Sequence, residues 1–227
     1  EIPLPPLPVQ EEIVRILDTF TELEAELEAE LEARKKQYEY YRDSLISFGD
    51  NTPTTIKRML DEICPDGVEY KKLGDIATDL YRGSGIKRDQ VKKEGFPCVR
   101  YGEIYTSYDI WFDTCISHTD PNEIDSKKYI EYGDILFAIT GESVEDIAKS
   151  TAYVGKGKCL VGGDIVVMKH TQNPKYLSYA LATKEARAQK SKGKVKSKVV
   201  HSSIPSIAEI EIPLPPLPVQ EEIVRIL

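Results

Sequence analysis

The chain has 227 residues, 41% hydrophobic and 30% charged, with a formal net charge of −8. That length provides one medium-sized domain with a core plus an elongated element, or two small domains. No apolar run approaches the ~18 residues of a membrane-spanning helix, and no charged-then-apolar leader is present, so we expect no membrane partner.

An exact repeat marks both ends of the chain. The seventeen residues EIPLPPLPVQEEIVRIL occupy positions 1–17, the first copy, and 211–227, the second copy. Two copies spaced by about one domain indicate an alternation of domains and connectors. Because proline is excluded from helix interiors, residues 1–9 are predicted to form an extended strap. Residues 211–227 are predicted to form a second strap and the start of a second helix.

Residues 10–48 are predicted to form one helix of about 58 Å. Apolar residues recur at steps of three and four, and ELEAELEAELEARKK between them is rich in helix formers. These apolar residues form a narrow stripe along the helix, here called the seam. Such a stripe is typical of a coiled coil, in which a partner helix covers it. The alternative is a solvated single helix held by intrahelical ion pairs. The predicted pairing residues are Ile13, Leu17, Phe20, Leu27, Leu31, Tyr38, Tyr41 and Leu45.

The rest of the chain has a mixed pattern. Gly49 and Pro53 predict a linker over residues 49–67. Residues 68–210 then form a predicted domain, with Asn173 as the N-cap of its helix. The expected fold class is α+β: one globular α/β domain plus a long coiled-coil-type helix. The predicted domain elements are strands at Asp134–Thr140, Thr151–Gly155, Asp164–His170 and Ile207–Ile212, and a helix at Asn173–Lys190.

Catalytic and metal chemistry is not indicated. The four cysteines are far apart and none pairs with a histidine at zinc spacing, which favours reduced thiols in a cytoplasm and no metal or cofactor. Asp66 and Glu69 beside Lys71 resemble a nuclease metal site only superficially, because two intervening residues put both acids on one tight turn. We expect a non-catalytic chain.

Charge is distributed unevenly along the chain. Residues 1–67 carry 16 acidic and 7 basic side chains, whereas residues 68–210 carry 19 acidic and 22 basic. Such asymmetry can hide a nucleic-acid-binding domain inside an acidic total. The run Lys184–His201 holds seven Lys or Arg against one Glu, which suits phosphate contact, although a solubilising surface loop is the alternative. The predicted phosphate contacts are Arg187, Lys190, Lys192, Lys194, Lys196 and Lys198.

Two further segments carry candidates for reading bases. In DLYRGSGIKRDQ (79–90), the GSG amides beside three basic residues could form an anion nest, or simply a surface turn. In CVRYGEIYTSYDIWF (98–112), polar and aromatic side chains could read base edges, or could belong to the core. The base-readout candidates are Tyr81, Arg82, Ser84, Arg100, Tyr101, Glu103 and Thr140.

Taken together, these motifs resemble the specificity subunit of type I restriction–modification enzymes. The repeat followed by an acidic helix ending in RKKQYEYYRDSLISF is similar to that family's spacer region, and VRYGEIYT, GDILFAITG and the basic run before IPSIAEIEIPLPPL are similar to its target recognition domain. The resemblance implies a non-enzymatic, cytoplasmic prokaryotic protein that reads one half of a bipartite sequence in double-stranded DNA. It also implies that methyltransferase (modification) subunits dock on the specificity subunit and that a restriction/motor subunit joins them. It further implies a homodimer through the long helices.

The arrangement of the parts leaves alternatives open. MLDEICPDGVEYKKLGDI (59–76) resembles a family amino terminus, yet it lies within the chain. A circularly arranged half-subunit and a central fragment of a two-domain subunit both fit. The alternative function is a coiled-coil scaffold with an incidental basic loop, which predicts self-association without sequence-selective DNA binding.

Overall fold

The computed structural model describes residues 2–144, 146–190, 194–196 and 199–227. The chain divides into two units, residues 1–41 and 42–227. The α+β class is confirmed. The helices over the described residues are α1 (Leu7–Ile46), α2 (Thr54–Ile63), α3 (Leu73–Ile76), α4 (Tyr101–Thr106), α5 (Pro174–Leu181), α6 (Lys184–Lys190), α7 (Ile204–Ala208) and α8 (Leu217–Ile226).

The strands are short and numerous. They are β1 (Tyr70–Lys72), β2 (Asp79–Arg82), β3 (Val91–Lys92), β4 (Phe96–Val99), β5 (Trp111–Phe112), β6 (Ser117–Thr119), β7 (Tyr129–Ile130), β8 (Ile135–Ala138), β9 (Thr140–Gly141), β10 (Ser150–Tyr153), β11 (Cys159–Val161), β12 (Ile165–Lys169), β13 (Lys194–Lys196), β14 (Val199–His201) and β15 (Glu211–Pro213). The predicted strands around residues 134–140, 151–155 and 164–170 are therefore present, as β8 with β9, β10 and β12.

The first unit consists of extended residues 2–6 and most of α1. The helix begins three residues before the predicted start, because Pro8 falls in the first turn, where its missing amide has no intrahelical partner in any case. Intrahelical ion pairs such as Glu30–Arg34 (2.9 Å) line its surface. The seam is exposed: Leu27 and Leu31 are 66% and 55% accessible.

The end of α1 belongs to the second unit. Leu45, predicted to pair with another helix, is instead buried in the core of this unit together with Ile46. The helix ends at Ile46, and the left-handed residue that follows is Phe48 (φ 51°) rather than Gly49. Since its ring packs against the core, burial compensates for the strained backbone.

Two five-stranded sheets form the centre of the second unit. Their strand orders are β2-β12-β8-β10-β5 and β3-β6-β4-β11-β7. Strand β8 is buried on both faces: Ile135 and Phe137 face the helical layer, whereas Leu136 and Ala138 face the second sheet. A continuous apolar run such as ILFA is what a strand covered on both faces requires.

The helical layer covers the outer face of the first sheet. It includes α2, which lies inside the predicted linker 49–67. Ile56 is fully buried, and Met59 and Leu60 pack beside it, so the apolar stripe of this helix is part of the core. The predicted linker is therefore in large part a packed helix.

The two identical copies lie in different surroundings. In the second copy, β15 pairs with β1, and Val219 and Ile223 of α8 are fully buried. The equivalent residues of the first copy, Val9 and Ile13, are 47% and 46% accessible. The local conformation is nevertheless shared. Gln10 Nε2 donates to the Pro5 carbonyl (2.6 Å), and Gln220 Nε2 donates to the Pro215 carbonyl (2.8 Å).

The helix predicted at Asn173–Lys190 and the strand predicted at Ile207–Ile212 each correspond to two elements in the structure. Asn173 caps α5 as expected, accepting from the amides of residues 175 and 176 at 3.1 Å. The helix stops at Leu181, however, because the Thr183 hydroxyl accepts from the Ala186 amide (3.3 Å) and starts α6. The strand predicted at Ile207–Ile212 is a short helix, α7, followed by β15. Ser203 caps that helix, and a proline occupies its first turn.

After α6, the described residues of the basic run form a hairpin. Strands β13 and β14, here called the basic hairpin, pair antiparallel, and β9 extends them into a three-stranded sheet. No helix over the described ranges is long and apolar enough to cross a membrane. Within the same ranges, no group of three or more His, Cys, Asp or Glu side chains is arranged to hold a metal ion.

Candidate functional site

A cleft of about 970 Å³ opens on the second unit. Its walls are the segment after β2, the start of α4 and the turn between β11 and β12. Four of the seven base-readout candidates line it: Arg82, Arg100, Tyr101 and Glu103. Its lining is Arg82, Gly83, Gly85, Ile86, Arg88, Arg100, Tyr101, Gly102, Glu103, Thr106, Ser107, Ile116, Ser117, Gly162, Gly163 and Asp164.

The GSG segment is packed against the β11–β12 turn. A Cβ on Gly83 would lie 2.1 Å from the Gly162 carbonyl oxygen, so only glycine fits there. Ser84 forms a bridge with Gly162 and is buried, and its backbone amide donates to the Val161 carbonyl (2.9 Å). The predicted base-reading role of Ser84 is therefore wrong. Gly83 therefore allows the backbone after β2 to approach the backbone of the β11–β12 turn closely.

Arg100 and Glu103 form an ion pair at the start of α4. The Arg100 Nε and backbone amide donate to separate Glu103 carboxylate oxygens, both at 3.0 Å. The Ser117 hydroxyl donates to Glu103 Oε1 at 2.5 Å. The Glu103 side chain is only 5% accessible, whereas that of Arg100 is 37% accessible and lines the cleft. Glu103 therefore holds Arg100 in place, and its predicted contact with bases is corrected because its oxygens are engaged.

Arg82 lies on another wall of the cleft and is held differently. Its Nε donates to the Gly163 carbonyl, and its Nη2 donates to Asp164 Oδ1 at 2.5 Å. Arg88 is the third arginine of the cleft. Three guanidinium groups on separate segments give the opening a positive character, which Glu103 and Asp164 partly offset.

Three base-readout candidates lie outside the cleft lining: the buried Ser84, and Tyr81 and Thr140. Tyr81 donates its hydroxyl to the Tyr129 carbonyl, and burial raises its pKa. Thr140 belongs to β9 and contacts His201 of the basic hairpin, Oγ1 to Nδ1 at 3.4 Å. A Tyr81 hydroxyl that is already donating to the chain is a poor base reader, whereas Thr140 lies beside the basic hairpin.

Helix α4 connects the cleft to the sheet of the basic hairpin. Tyr101, Gly102 and Glu103 line the cleft, while the Tyr105 hydroxyl lies against Gly141, where a Cβ would approach it to 2.8 Å. Gly141 pairs with Val200 of β14. Burial raises the pKa of Tyr105 to about 12, so its hydroxyl stays neutral at ordinary pH.

The predicted phosphate contacts differ in where the structure places them: three lie on described elements, two lie outside the described residues, and Lys190 is buried. Arg187 is exposed on α6, and Lys194 and Lys196 belong to β13. Lys192 and Lys198 lie outside the described residues.

Lys190 is buried, which overturns its predicted role. Its Nζ donates to Ser150 Oγ and to the Leu181 carbonyl, both at 2.8 Å. Burial, with a smaller contribution from the Arg187 charge, lowers its pKa to about 7. An ammonium group enclosed in this way cannot reach a phosphate.

Sequence reasoning missed part of the cleft. Arg88 belongs to the basic segment singled out after GSG, but it was not among the base-readout candidates. Gly162, Gly163 and Asp164 carry no motif, since a glycine pair between two buried strands predicts only a turn. Gly102 was also missed. A Cβ there would meet nothing within 4 Å, so this glycine leaves space in front of α4.

Comparisons with known proteins agree with one another. The family model described as "Type I restriction modification DNA specificity domain" matches residues 1–33 and 65–227. A Mycoplasma pneumoniae protein named as a type I specificity subunit is 30% identical over 235 aligned positions, which cover 100% of this chain and 82% of that protein.

Two solved structures share the fold. One, described as "Structural basis underlying complex assembly and conformational transition of the type I R-M system", has a TM-score of 0.58 at 20% identity. The other, the HsdS subunit from Thermoanaerobacter tengcongensis, has a TM-score of 0.54 at 20% identity. Each match covers 99% of this chain but only 52% and 51% of those chains, so this chain spans about half their length.

Proposed function

The chain belongs to the family of type I restriction modification DNA specificity domains, and on that basis we propose that its second unit reads one half of a bipartite DNA target. The observation that carries the proposal is the cleft, where three arginines on separate segments surround a glycine-rich opening. The lining carries five charged side chains, three of them arginines, whereas a small-molecule pocket typically has only a few polar groups. Base edges and phosphates are the ligands that suit it.

The contacts divide into two classes. Lys194 and Lys196 of the basic hairpin, with the exposed Arg187, neutralise phosphates and position the DNA without reading its sequence. The cleft side chains read base edges in the major groove. Helix α4 supports this division because it lines the cleft and also contacts β9, the strand that pairs with β14.

The partners follow from the same proposal. The chain carries no catalytic activity of its own and acts in the prokaryotic cytoplasm as a frame for methyltransferase and restriction/motor subunits. Two copies pair through the exposed seam of α1, whose Leu27 and Leu31 have no cover in the single chain. Two-fold pairing of identical recognition domains would give a palindromic, split target.

Selection of binding sites from random duplex DNA tests the proposal. The full chain is used alone and with the modification subunit of its system, at low salt. Enrichment of a palindromic split site supports recognition and pairing together, whereas a single half-site supports recognition alone. No enrichment in either condition, with folded protein, would contradict the proposal and favour the scaffold function.

A steric block tests whether the cleft is the reading site. Gly102→Phe places a ring in open space on a helix and should abolish site enrichment without unfolding the domain. The matched control is Gly157→Phe, since Gly157 also faces open space but lies outside the cleft lining. Equal effects of both changes would place the reading site elsewhere.

A further inference from the structure

We propose that Arg100 is a specificity-determining residue that reads a guanine, and that Glu103 is its positioning residue. This inference rests on the proposed function and deepens it, because it names one base of the target. It depends on which nitrogens of Arg100 and of Arg82 are already engaged. Guanine offers two adjacent acceptors, O6 and N7, in the major groove, and a guanidinium with two parallel free donors matches them.

Arg100 has the required donors free. Its Nε is engaged by Glu103 Oε1 at 3.0 Å. Its two terminal nitrogens make no hydrogen bond to any residue that the structure describes, and the side chain faces the cleft. With Nε occupied, the Nη1 and Nη2 atoms remain as an end-on fork. Such a fork donates two parallel hydrogen bonds to one planar acceptor edge.

Arg82 provides an internal contrast. Its Nε and Nη2 are both used, by the Gly163 carbonyl and Asp164. Asp164 engages one terminal nitrogen of Arg82, so Arg82 has fewer free terminal donors than Arg100, whose Nη1 and Nη2 both lack a partner among the described residues. The two arginines share a cleft and a residue type but differ in which of their nitrogens are engaged.

Glu103 determines the position of Arg100. Its carboxylate is buried and receives three donors: the Arg100 Nε, the Arg100 amide and the Ser117 hydroxyl. A free arginine side chain loses ~2 kcal/mol of rotamer entropy when it is fixed. Arg100 is largely fixed before DNA arrives. Because the Glu103 charge offsets that of Arg100, the pair contributes base selection more than general attraction to DNA.

The experiment compares site selection and salt-dependent affinity in the full chain and Arg100→Lys. Lysine keeps the charge and loses the fork. We expect preference for guanine at one position of each half-site to fall about tenfold. The other positions and the slope of log K against log salt should stay unchanged. Affinity for a duplex carrying another base at that position should also stay within about twofold.

Two further variants separate positioning from folding. Glu103→Gln keeps the shape but weakens the hold on Arg100, so it should lower preference at the same position, and the double variant should lose little more than Arg100→Lys alone. The matched control is Arg225→Lys, because Arg225 pairs with Glu222 at the same spacing on α8, outside the cleft. It should leave every base preference unchanged.

The outcomes distinguish this inference from the function on which it rests. If the unmodified chain enriches a site and Arg100→Lys leaves all positions of that site unchanged, the inference is overturned and the proposed function stands. The same holds if Arg100→Lys weakens binding to all sequences equally, since that result identifies a phosphate contact. If the unmodified chain enriches nothing, both are overturned.

Discussion

At the scale of single residues, hydrogen bonds decide which charged side chains are available to a ligand. Lys190 belongs to the most basic segment of the chain, yet it is enclosed by Ser150 and the Leu181 carbonyl. Glu103 and Arg82 have polar partners of their own, whereas the Arg100 fork is left open. Residue type alone predicted a DNA contact for each of these four side chains.

Burial of Lys190 predicts a dependence of stability on pH. Its pKa is about 7 in the folded protein and ~10.4 in the unfolded chain, so between these values the unfolded state binds more protons. Stability from this group therefore rises with pH across that window, by at most about 1.4 kcal/mol per pH unit, and is lost as pH falls towards 7. Lys190→Met should remove this contribution, as measured by urea unfolding from pH 7 to pH 9.5.

The control for this prediction is Lys184→Met, on the exposed side of the same helix. It should leave the pH dependence of unfolding as in the unmodified chain. An identical pH profile for the unmodified chain and Lys190→Met would mean that the amine is solvated in solution. In that case Lys190 would return to the set of phosphate contacts.

At the scale of elements, the repeat shows that one sequence takes the same local form in two surroundings. Both copies start a helix at the equivalent leucine, Leu7 and Leu217, and both bond the glutamine to a proline carbonyl. The second copy pairs with β1 and buries Val219 and Ile223, whereas Val9 and Ile13 of the first copy are exposed. Local conformation therefore follows from the seventeen residues, and burial follows from what lies beside them.

The repeat supplies a matched pair of mutations. Ile223→Ala removes a fully buried side chain and should cost about 2–4 kcal/mol in the free energy of unfolding of the domain. Ile13→Ala, at the equivalent exposed position, should change it by less than about 0.5 kcal/mol. Urea denaturation followed by fluorescence measures both. Equal losses would indicate that the first copy is also packed in solution.

The exposed seam of α1 predicts self-association. Leu27→Asp with Leu31→Asp places two charges in the seam and should shift the chain to a monomer in sedimentation equilibrium. Ala29→Asp with Ala33→Asp makes the same charge change on the opposite helix face and should leave association intact. A monomeric unmodified chain at high micromolar concentration would argue against pairing of two copies.

At the scale of the whole molecule, charge is distributed unevenly along the chain. The acidic residues are concentrated in the first 67 residues, and the excess of basic residues lies between positions 68 and 210. Under the proposed function, the long acidic helix repels DNA, whereas the basic hairpin attracts it. The total charge of −8 thus says little about the ligand, because DNA approaches one region and not the average.

This division predicts the salt dependence of DNA binding. Lys194→Gln with Lys196→Gln should weaken binding to all sequences alike and lower the slope of log K against log salt by about 1.8, at ~0.9 per phosphate contact. Lys35→Gln with Lys36→Gln makes the same charge change on α1 and should leave the slope unchanged. A change in base preference with the hairpin variant would instead give these lysines a reading role.

The sequence by itself determined the long helix, the three central strands, the Asn173 cap and the family. These features rest on signals within one segment: a 3.5-residue period, continuous apolar runs, a capping side chain and a seventeen-residue repeat. The break between α5 and α6 was harder to predict, because the Thr183 hydroxyl donates to the Ala180 carbonyl at the end of α5 and accepts from the Ala186 amide at the start of α6. Helix α2 inside the predicted linker was missed, because its apolar side chains indicate a packed helix only when the core residues that cover them are known.

Only the tertiary structure decided the composition of the cleft. It brings residues from segments 82–88, 100–107, 116–117 and 162–164 around one cleft, although these segments have no common sequence signal. It also decided that Lys190 is enclosed and that Glu103 is a support for Arg100. The physical reason is that accessibility and hydrogen bonding depend on neighbours distant in the chain, whereas propensity and periodicity depend on neighbours close in it.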